Sequence, residues 1–247
     1  MKLAFVSDMH GNWPAFEAVL AELDRRGPFD TVYGGGDFAF NGLYPAECVQ
    51  VLIDRSWPCV RGNTDEWIVE AATDGAVPAQ NVPEGMEHSA DLRARDRWAV
   101  LRLNAEQIDF LKGLPLTLEV AGPSGRTLAI LHATPWSAHP PVWAHADESE
   151  KRELLERAGT DAMIYGHIHH AYQEEVDGKL IGCAGAVGAP FDGDTRACFA
   201  IMTDEGGGWS IEHVRVDYDN EAYARELEAS DIPGGAGSAQ VIRTASM

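Results

Sequence analysis

The stretch KLAFVSDMH, residues 2–10, decides the fold. Leu3 to Val6 form a short apolar run, and Ser7-Asp8-Met9-His10 sets a polar cluster where the run ends. Beyond it, Pro14-Ala15-Phe16 opens a pattern with Phe16, Val19, Leu20 and Leu23 at helical spacing. Pro14 suits a first helical turn, where its missing N–H has no intrahelical partner to lose, and Gly27 suits the exit. The unit is strand, loop, helix. It recurs: Thr31 to Gly35 reads as a second strand, Pro45 to Arg55 as a second helix, and Pro58 to Val60 as a short third strand with its proline at the first position. Alternation of this kind predicts a parallel α/β core.

Residues 73–104 break the rhythm with dense charge and with Pro78, Pro83 and Gly85, and read as an insertion or cap. Asn104 then caps a helix carrying Ile108 and Leu111, which Gly113-Leu114-Pro115 ends. Strands are expected at 116–121 and 127–132, around the turn Gly122-Pro123-Ser124-Gly125. Asp147 and Glu150 open a helix through Leu154 and Leu155. After a strand at Ala162 to Tyr165 the pattern turns antiparallel. Asp177-Gly178 marks a hairpin, and Arg196 to Thr203 and Trp209 to Val216 are two further strands. Residues 1–231 are expected to form one domain, and 232–247, rich in Gly, Ala and Ser, a flexible tail.

Composition narrows the function. A chain of 247 residues can bury a full core. Its formal charge of -20 repels polyanions, so binding to a nucleic-acid polymer is disfavoured and a small substrate is expected. The four cysteines, Cys48, Cys59, Cys183 and Cys198, are scattered and form neither CxxC pairs nor a disulfide framework, as suits a reducing cytoplasm. No signal sequence and no apolar run of membrane-spanning length is present, so a cytoplasmic protein without a membrane partner is expected.

The chemistry gathers at strand ends. Asp8 and His10, Gly36-Asp37, Arg61-Gly62-Asn63, His132, and Gly166-His167-Ile168-His169 each follow an apolar run, at the edge where open parallel sheets bind ligands. Singly, each has an ordinary structural reading: Asp8 with His10 as a loop pair, Gly36-Asp37 and Asn63 as turns, His132 as a core histidine. His167 and His169 tell more, because alternate residues of an extended segment point the same way. The ordered set of five tells most.

That set, Asp8-x-His10, Gly36-Asp37, Gly62-Asn63-x-Asp65, His132 and Gly166-His167-x-His169, resembles the blocks of the calcineurin-like metallophosphoesterases (D-x-H, G-D, G-N-H-D/E, H and G-H-x-H). Gly36-Asp37 through Pro45-Ala46-Glu47-Cys48 looks like their small bacterial and archaeal phosphodiesterase branch. The resemblance implies a four-layer α/β/β/α sandwich of two mixed sheets flanked by helices. It also implies two divalent metal ions: Asp8, His10 and His169 hold one, Asn63, His132 and His167 the other, and Asp37 bridges. Such a pair generates a bridging hydroxide near neutral pH and holds the phosphoryl oxygens for in-line attack. Oxygen and imidazole donors without thiolate suit Mn, Fe, Zn or Ni, with Mn expected.

Two divalent ions, less the Asp8 and Asp37 carboxylates and one hydroxide, leave a single positive charge. A phosphodiester monoanion neutralises it, whereas a monoester dianion leaves a buried excess. Arg61 reads as either a phosphate contact or a salt-bridge residue. Asn12 and Asn41, beside two ligand loops, are candidate substrate contacts, although Asn12 also suits a helix cap.

The pattern departs from the family at Thr64, where the block usually carries the His that protonates the leaving oxygen. A hydroxyl has no useful pKa for acid catalysis, a role worth about 10² to 10⁴ in rate. Thr64 is still expected to contact substrate, and Asp65 to cap a helix or support the ligands. His88 and His139, the candidate replacements, are expected at the surface, and Trp136 in packing. Cys183 to Gly188 look like the family's N-P-G-S-V-G turn with its polar members replaced, leaving backbone groups as its only contacts. Phe38-Ala39-Phe40-Asn41 lacks the Arg found after Gly-Asp in Ser/Thr phosphatases and symmetrical dinucleoside tetraphosphatases, which disfavours those activities. The leading expectation is a dinuclear phosphodiesterase with Asp37, Asn63 and His132 as catalytic residues. The alternatives are a phosphomonoesterase, or a non-catalytic protein-interaction scaffold such as the retromer subunit of this fold.

Overall fold

Successive residues of a strand face opposite ways, and in three strands of this chain, at 2–6, 127–131 and 162–165, both faces are apolar and buried. A computed structural model describes residues 1–246. In chain order the first half runs β1 (Lys2–Val6), α1 (Trp13–Arg26), β2 (Thr31–Gly34), α2 (Pro45–Asp54), α3 (Asn63–Ala72), α4 (Ala90–Val100) and α5 (Ala105–Lys112). The second runs β3 (Thr117–Ala121), β4 (Thr127–Leu131), α6 (Glu148–Ala158), β5 (Ala162–Tyr165), β6 (Ala171–Val176), β7 (Lys179–Ala184), β8 (Ala197–Asp204), β9 (Trp209–Val216), α7 (Asn220–Ala229) and α8 (Gly235–Thr244).

The strands form two mixed sheets, of order β2-β1-β8-β9 and β3-β4-β5-β7-β6. β1 pairs parallel with β2 and antiparallel with β8. In the second sheet β4, β5 and β7 run parallel, with β3 and β6 antiparallel at the edges. Strand alternation then produces three apolar interfaces. Leu3 and Phe5 of β1 meet Leu128 and Ile130 of β4 and Ala162 and Ile164 of β5 between the sheets. Ala4 and Val6 face the other way, onto Phe16 and Val19 of α1 and Leu52 of α2. Leu131, Met163 and Tyr165 turn outward to Leu154 and Leu155 of α6. Helix, sheet, sheet, helix is the four-layer order expected, and burying each such side chain contributes about 1.5–3 kcal/mol.

Local signals act as read at several points. Asn104 Oδ1 accepts from Gln107 N, and Gln107 returns the bond to Asn104 N, both at 3.0 Å. Asp177-Gly178 closes the β6–β7 hairpin with both residues at positive φ. Pro58 to Val60 differs: it forms a single bridge, Gly34 to Cys59, not a strand.

The expectation of a flexible tail is overturned. Residues 235–244 form α8, whose Ser238, Ala239 and Ile242 are buried. Ala239 and Ile242 pack with Tyr223, Ala224 and Leu227 of α7 and Trp98 of α4. Tertiary burial overrides a composition poor in helix formers. Within 73–104, the charged sequence hides α4, which Ser89 caps by accepting from Leu92 N.

Candidate metal centre

Asp8 and His10 follow β1, Asp37 follows β2, His132 follows β4, and His167 and His169 follow β5, so all leave their sheets at one edge. Asn63 is the first residue of α3. Five of these seven residues lie in the left-handed region: Asp8 (φ 58°), His10 (49°), Asp37 (57°), His167 (66°) and His169 (56°). Such conformations are uncommon outside glycine and persist where surrounding structure imposes them. Here the loops bind one another: Asp8 N donates to Gly36 O and His10 N to Asp37 O, both at 3.0 Å, and Gly188 N donates to Asp8 O at 2.8 Å.

Backbone carbonyls set the rings. A carbonyl only accepts, so the ring nitrogen facing it carries the hydrogen and the other nitrogen is a lone pair. Nδ1 of His10 faces Phe40 O at 3.1 Å, Nδ1 of His132 faces Gly35 O at 2.8 Å, and Nδ1 of His169 faces Ala189 O at 2.5 Å. His167 is reversed, with Nε2 facing His139 O at 2.9 Å. The opposite nitrogens converge with the carboxylates. Nε2 of His10 and His169 stand 3.2 Å apart, and His169 Nε2 lies 3.1 Å from Asp8 Oδ1. Two lone pairs at that separation repel unless a cation or proton lies between them, and carbonyl-oriented imidazoles are the usual support of metal ligands. The donor set therefore fits divalent metal.

The ligand atoms fall into two groups, Asp8 with His10 and His169, and Asp37 with His132 and His167, each lying within 4.8 Å of one another. Asp37 faces both: Oδ2 is 3.6 Å from His10 Nε2, and Oδ1 is 3.5 Å from His132 Nε2. Asn63 Oδ1 lies 3.0 Å from His132 Nε2 and joins the second group.

Electrostatics agree with a cation site. Burial alone raises the Asp8 and Asp37 carboxyls, but the imidazoles around them more than offset it and hold both below the ordinary range. Burial lowers His10, and takes His167 down to about 3 with help from His132. At His132 and His169 the carboxylates reverse that effect, Asp37 and Asp8 acting on the first and chiefly Asp8 on the second, and both imidazoles rise. One imidazole in each group thus favours a positive charge more than a free histidine does.

Asp65 supports this arrangement from behind. Its carboxylate accepts from Gly62 N (2.8 Å), Asp37 N (2.9 Å) and Phe38 N (3.1 Å), capping α3 and fixing the Asp37 loop together. Burial and the Asp37 charge push its carboxyl up to about 7 against those donors. Gly62 is required by close approach, since a Cβ there would lie 2.0 Å from Asp37 Oδ1.

The other expected site residues divide. Thr64 donates its N–H to Asp37 Oδ1 at 2.9 Å, and its buried Oγ1 has no hydrogen-bond partner. Asn41 (φ 73°) borders the cluster. Asn12 lines the cavity over the cluster, with its Oδ1 accepting from Ala15 N and its amide nitrogen donating to Gly188 O and Tyr218 Oη. Arg61 pairs with Glu66, Nε to Oε1 at 2.9 Å. His88 and His139 are both buried, contrary to the expectation of surface positions. His88 pairs with Asp96 (2.9 Å) and stacks on Trp67. His139 bonds Glu66 Oε2 (2.9 Å) through Nε2, which turns its ring to a structural partner and leaves its carbonyl to orient His167. Trp136 is half-buried, with the Arg157 guanidinium 3.5 Å over its ring.

A cavity of about 220 Å³ opens over the cluster, with Thr64, His167 and His169 on its floor. No Lys or Arg lines it. Its far side is built by residues the sequence did not single out, among them Phe191, Tyr223, Leu227, Ser238 and Val241. The available signal was the spacing of Ser238, Val241, Ile242 and Ala245, which suits one helical face.

Two mixed sheets carrying clustered carboxylates and imidazoles on their joint edge define the metallophosphoesterase class. The chain belongs to the calcineurin-like phosphoesterase superfamily, whose domain it matches over residues 1–206. It is 25% identical over 246 residues to the uncharacterised protein MJ0912 of Methanocaldococcus jannaschii, covering 94% of this chain and 93% of that one. Its fold resembles a metallophosphoesterase from Sphaerobacter thermophilus (TM-score 0.73, 23% identity, 99% of both chains). It also resembles the hypothetical protein PH1004 of Pyrococcus horikoshii (TM-score 0.82, 17% identity, 99% of this chain and 98% of that one). No helix among the described residues is long and apolar enough to cross a membrane.

Proposed function

We propose that the protein is a dinuclear metal-dependent phosphodiesterase acting on a small diester in the cytoplasm. The observation that carries this reading is a two-group ligand cluster opening into a cavity with no cationic side chain. Asp8, His10 and His169 would hold one ion, Asn63, His132 and His167 the other, with Asp37 shared. Two such ions would activate water near neutral pH and stabilise the attacking and leaving oxygens of an in-line displacement. Manganese is the favoured metal, with iron, zinc and nickel suited to the same donors.

The chain's own residues supply position and charge. Carbonyls of Phe40, Gly35, Ala189 and His139 hold the four imidazoles in the tautomers that face inward. The Thr64 N–H, with the three donors to Asp65, fixes the Asp37 carboxylate. Thr64 Oγ1 is free to donate to a phosphoryl or leaving oxygen. With no Lys or Arg on the wall, a monoester dianion lacks its second counter-charge, so the diester is favoured. The four cysteines are free and buried, as suits a reducing compartment.

The test is hydrolysis of bis-p-nitrophenyl phosphate by Mn²⁺-loaded protein. Asp37→Ala and His132→Ala should each lower kcat/KM by about 10³ or more, several kcal/mol of transition-state stabilisation. Metal binding without turnover across a broad phosphoester panel would sink the reading. Faster cleavage of aryl monoesters than of aryl diesters would replace it with a monoesterase.

A further inference from the structure

The cavity has a second wall unlike its floor. α7 and α8 present Tyr223, Leu227, Val241 and Ile242 to it, and Phe40 and Phe191 close its sides. Phe191 stacks on the His169 ring at 4.2 Å between centroids, so the apolar surface begins directly beside a candidate ligand. The wall is fixed to the ligand loops. Tyr223 Oη accepts from Leu43 N (3.2 Å) and donates to Gly11 O (3.3 Å), and Gly193 N donates to Ala245 O (3.0 Å).

One polar group on this side is held with its donors free. Asn41 Oδ1 accepts from Arg95 Nη1 at 2.6 Å and from Ser238 Oγ at 2.9 Å. Two donors on one atom settle which end of the amide is oxygen. Nδ2 makes no hydrogen bond among the described residues, so its hydrogens are available to the cavity that Asn41 lines. Ser238 has committed its hydroxyl hydrogen, and Arg95 stands behind Asn41, off the cavity wall.

We propose that the α7–α8 wall is the subsite for one uncharged, ring-sized ester group of the substrate, and that Asn41 Nδ2 is the fixed donor reading an acceptor atom on that ring. This rests on the phosphodiester reading of the metal centre. An apolar wall favours a ring by the area it removes from water, and a second phosphate there would meet no Lys or Arg on the lining. At about 220 Å³ the cavity is smaller than the roughly 300–1,000 Å³ of drug-sized pockets, which suits a single ring beside the phosphate.

The experiment is calorimetric binding of slowly hydrolysed diesters to Mn²⁺-loaded protein, so that recognition is read without turnover. Methyl phenyl phosphate should bind about tenfold more tightly than dimethyl phosphate, the ring's apolar area being the difference. Methyl pyridyl phosphate, of the same size with one acceptor, should bind about fivefold more tightly than the phenyl ester. Val241 is half-buried, and Val241→Lys should abolish the preference for a ring. Val241→Ala, which adds no charge, should reduce it about threefold and serves if the lysine variant fails to fold. Asn41→Asp keeps both donors to its carboxylate and a residue type that tolerates positive φ, and should reverse the pyridyl preference alone. An unchanged ring preference in both Val241 variants, or none in the wild type, overturns the subsite. A pyridyl preference that survives Asn41→Asp removes Asn41 from it. If the ring preference holds but no diester is ever cleaved, the catalytic reading falls and the subsite stands.

Discussion

The ligand loops and the α7–α8 wall face each other across one small cavity and are built by opposite means. The loops hold five charged or imidazole side chains at left-handed φ, and hydrogen bonds tie each of these residues to a neighbouring loop. The wall is two regular helices joined by ordinary apolar burial, with Tyr223 as its anchor. Strain at the floor fixes where charge sits; shape at the wall fixes what fits. The two regions should therefore fail differently. A change in a loop should remove metal, and a change in the wall should alter selectivity while metal stays bound.

Among changes that leave every candidate ligand in place, the largest effect is expected at Gly62. A Cβ there would lie 2.0 Å from Asp37 Oδ1 and 2.5 Å from Asp37 N, and neither atom can move without disturbing both candidate ligand groups. Gly62→Ala should weaken Mn²⁺ binding by about 100-fold, at the upper end of what losing a support of metal ligands costs. Equilibrium metal titration measures it. Unchanged affinity would show that the floor is more yielding than the wall, and the contrast would break.

Thr64 comes next, because it belongs to the floor yet carries no ligand atom. Its hydroxyl is buried, unpartnered and on the cavity lining. Thr64→His supplies a group that can protonate a leaving oxygen. It should raise kcat for alkyl diesters about tenfold, short of the about 10² to 10⁴ of an evolved acid, and change nitrophenyl diesters little. Equal or lower rates on both classes would mean that protonation is supplied elsewhere, and His88 and His139 are poor sources, being tied to Asp96 and Glu66.

The same contrast explains what the sequence disclosed. The floor was legible because carboxylate and imidazole types suited to metal sit where apolar runs end: Asp8 after Val6, His132 after Leu131, His167 after Tyr165 and Gly166. The α/β core was legible from apolar runs followed by helical spacing, as in Leu3 to Val6 before Phe16, Val19, Leu20 and Leu23, whereas the second sheet came from the family resemblance. The wall was not. Gly235, Gly237 and Ser238 read as a tail because local propensity is all that a lone segment shows, whereas α8 is held by Ala239 and Ile242 packing on α7. The Asn41 clamp was hidden similarly, since Arg95 lies in a charged stretch and meets Asn41 only in the fold. His88 and His139 were misjudged because burial of a histidine depends on a distant acid, Asp96 or Glu66, that spacing does not reveal.

The smallest effect is a pH dependence that changes sign with metal. In the metal-free protein, His132 and His169 have imidazoles raised above 6.5, and Asp65 is raised to about 7. A group raised on folding favours its protonated form, so its contribution is complete below its unfolded value and is lost as pH rises through the folded one. His10 and His167 are lowered, and oppose this only below about 6.5, where the unfolded rings take up protons. Asp8 and Asp37 are lowered too, and contribute above the ordinary carboxylate range, losing that contribution only as pH falls through their depressed values. From these groups, the Tm of the metal-free protein should peak near pH 6.5 and then fall, by roughly 2–4 °C for each kcal/mol lost. Metal competes with protons for the His132 and His169 imidazoles, which their raised basicity favours, so its affinity and the Tm of the loaded protein should rise over the same interval. Thermal scans from pH 6 to 8, with Mn²⁺ and with chelator, compare the two slopes. Parallel slopes would mean that metal and proton do not compete at these imidazoles, and the assignment of His132 and His169 as ligands would fall with the contrast between floor and wall.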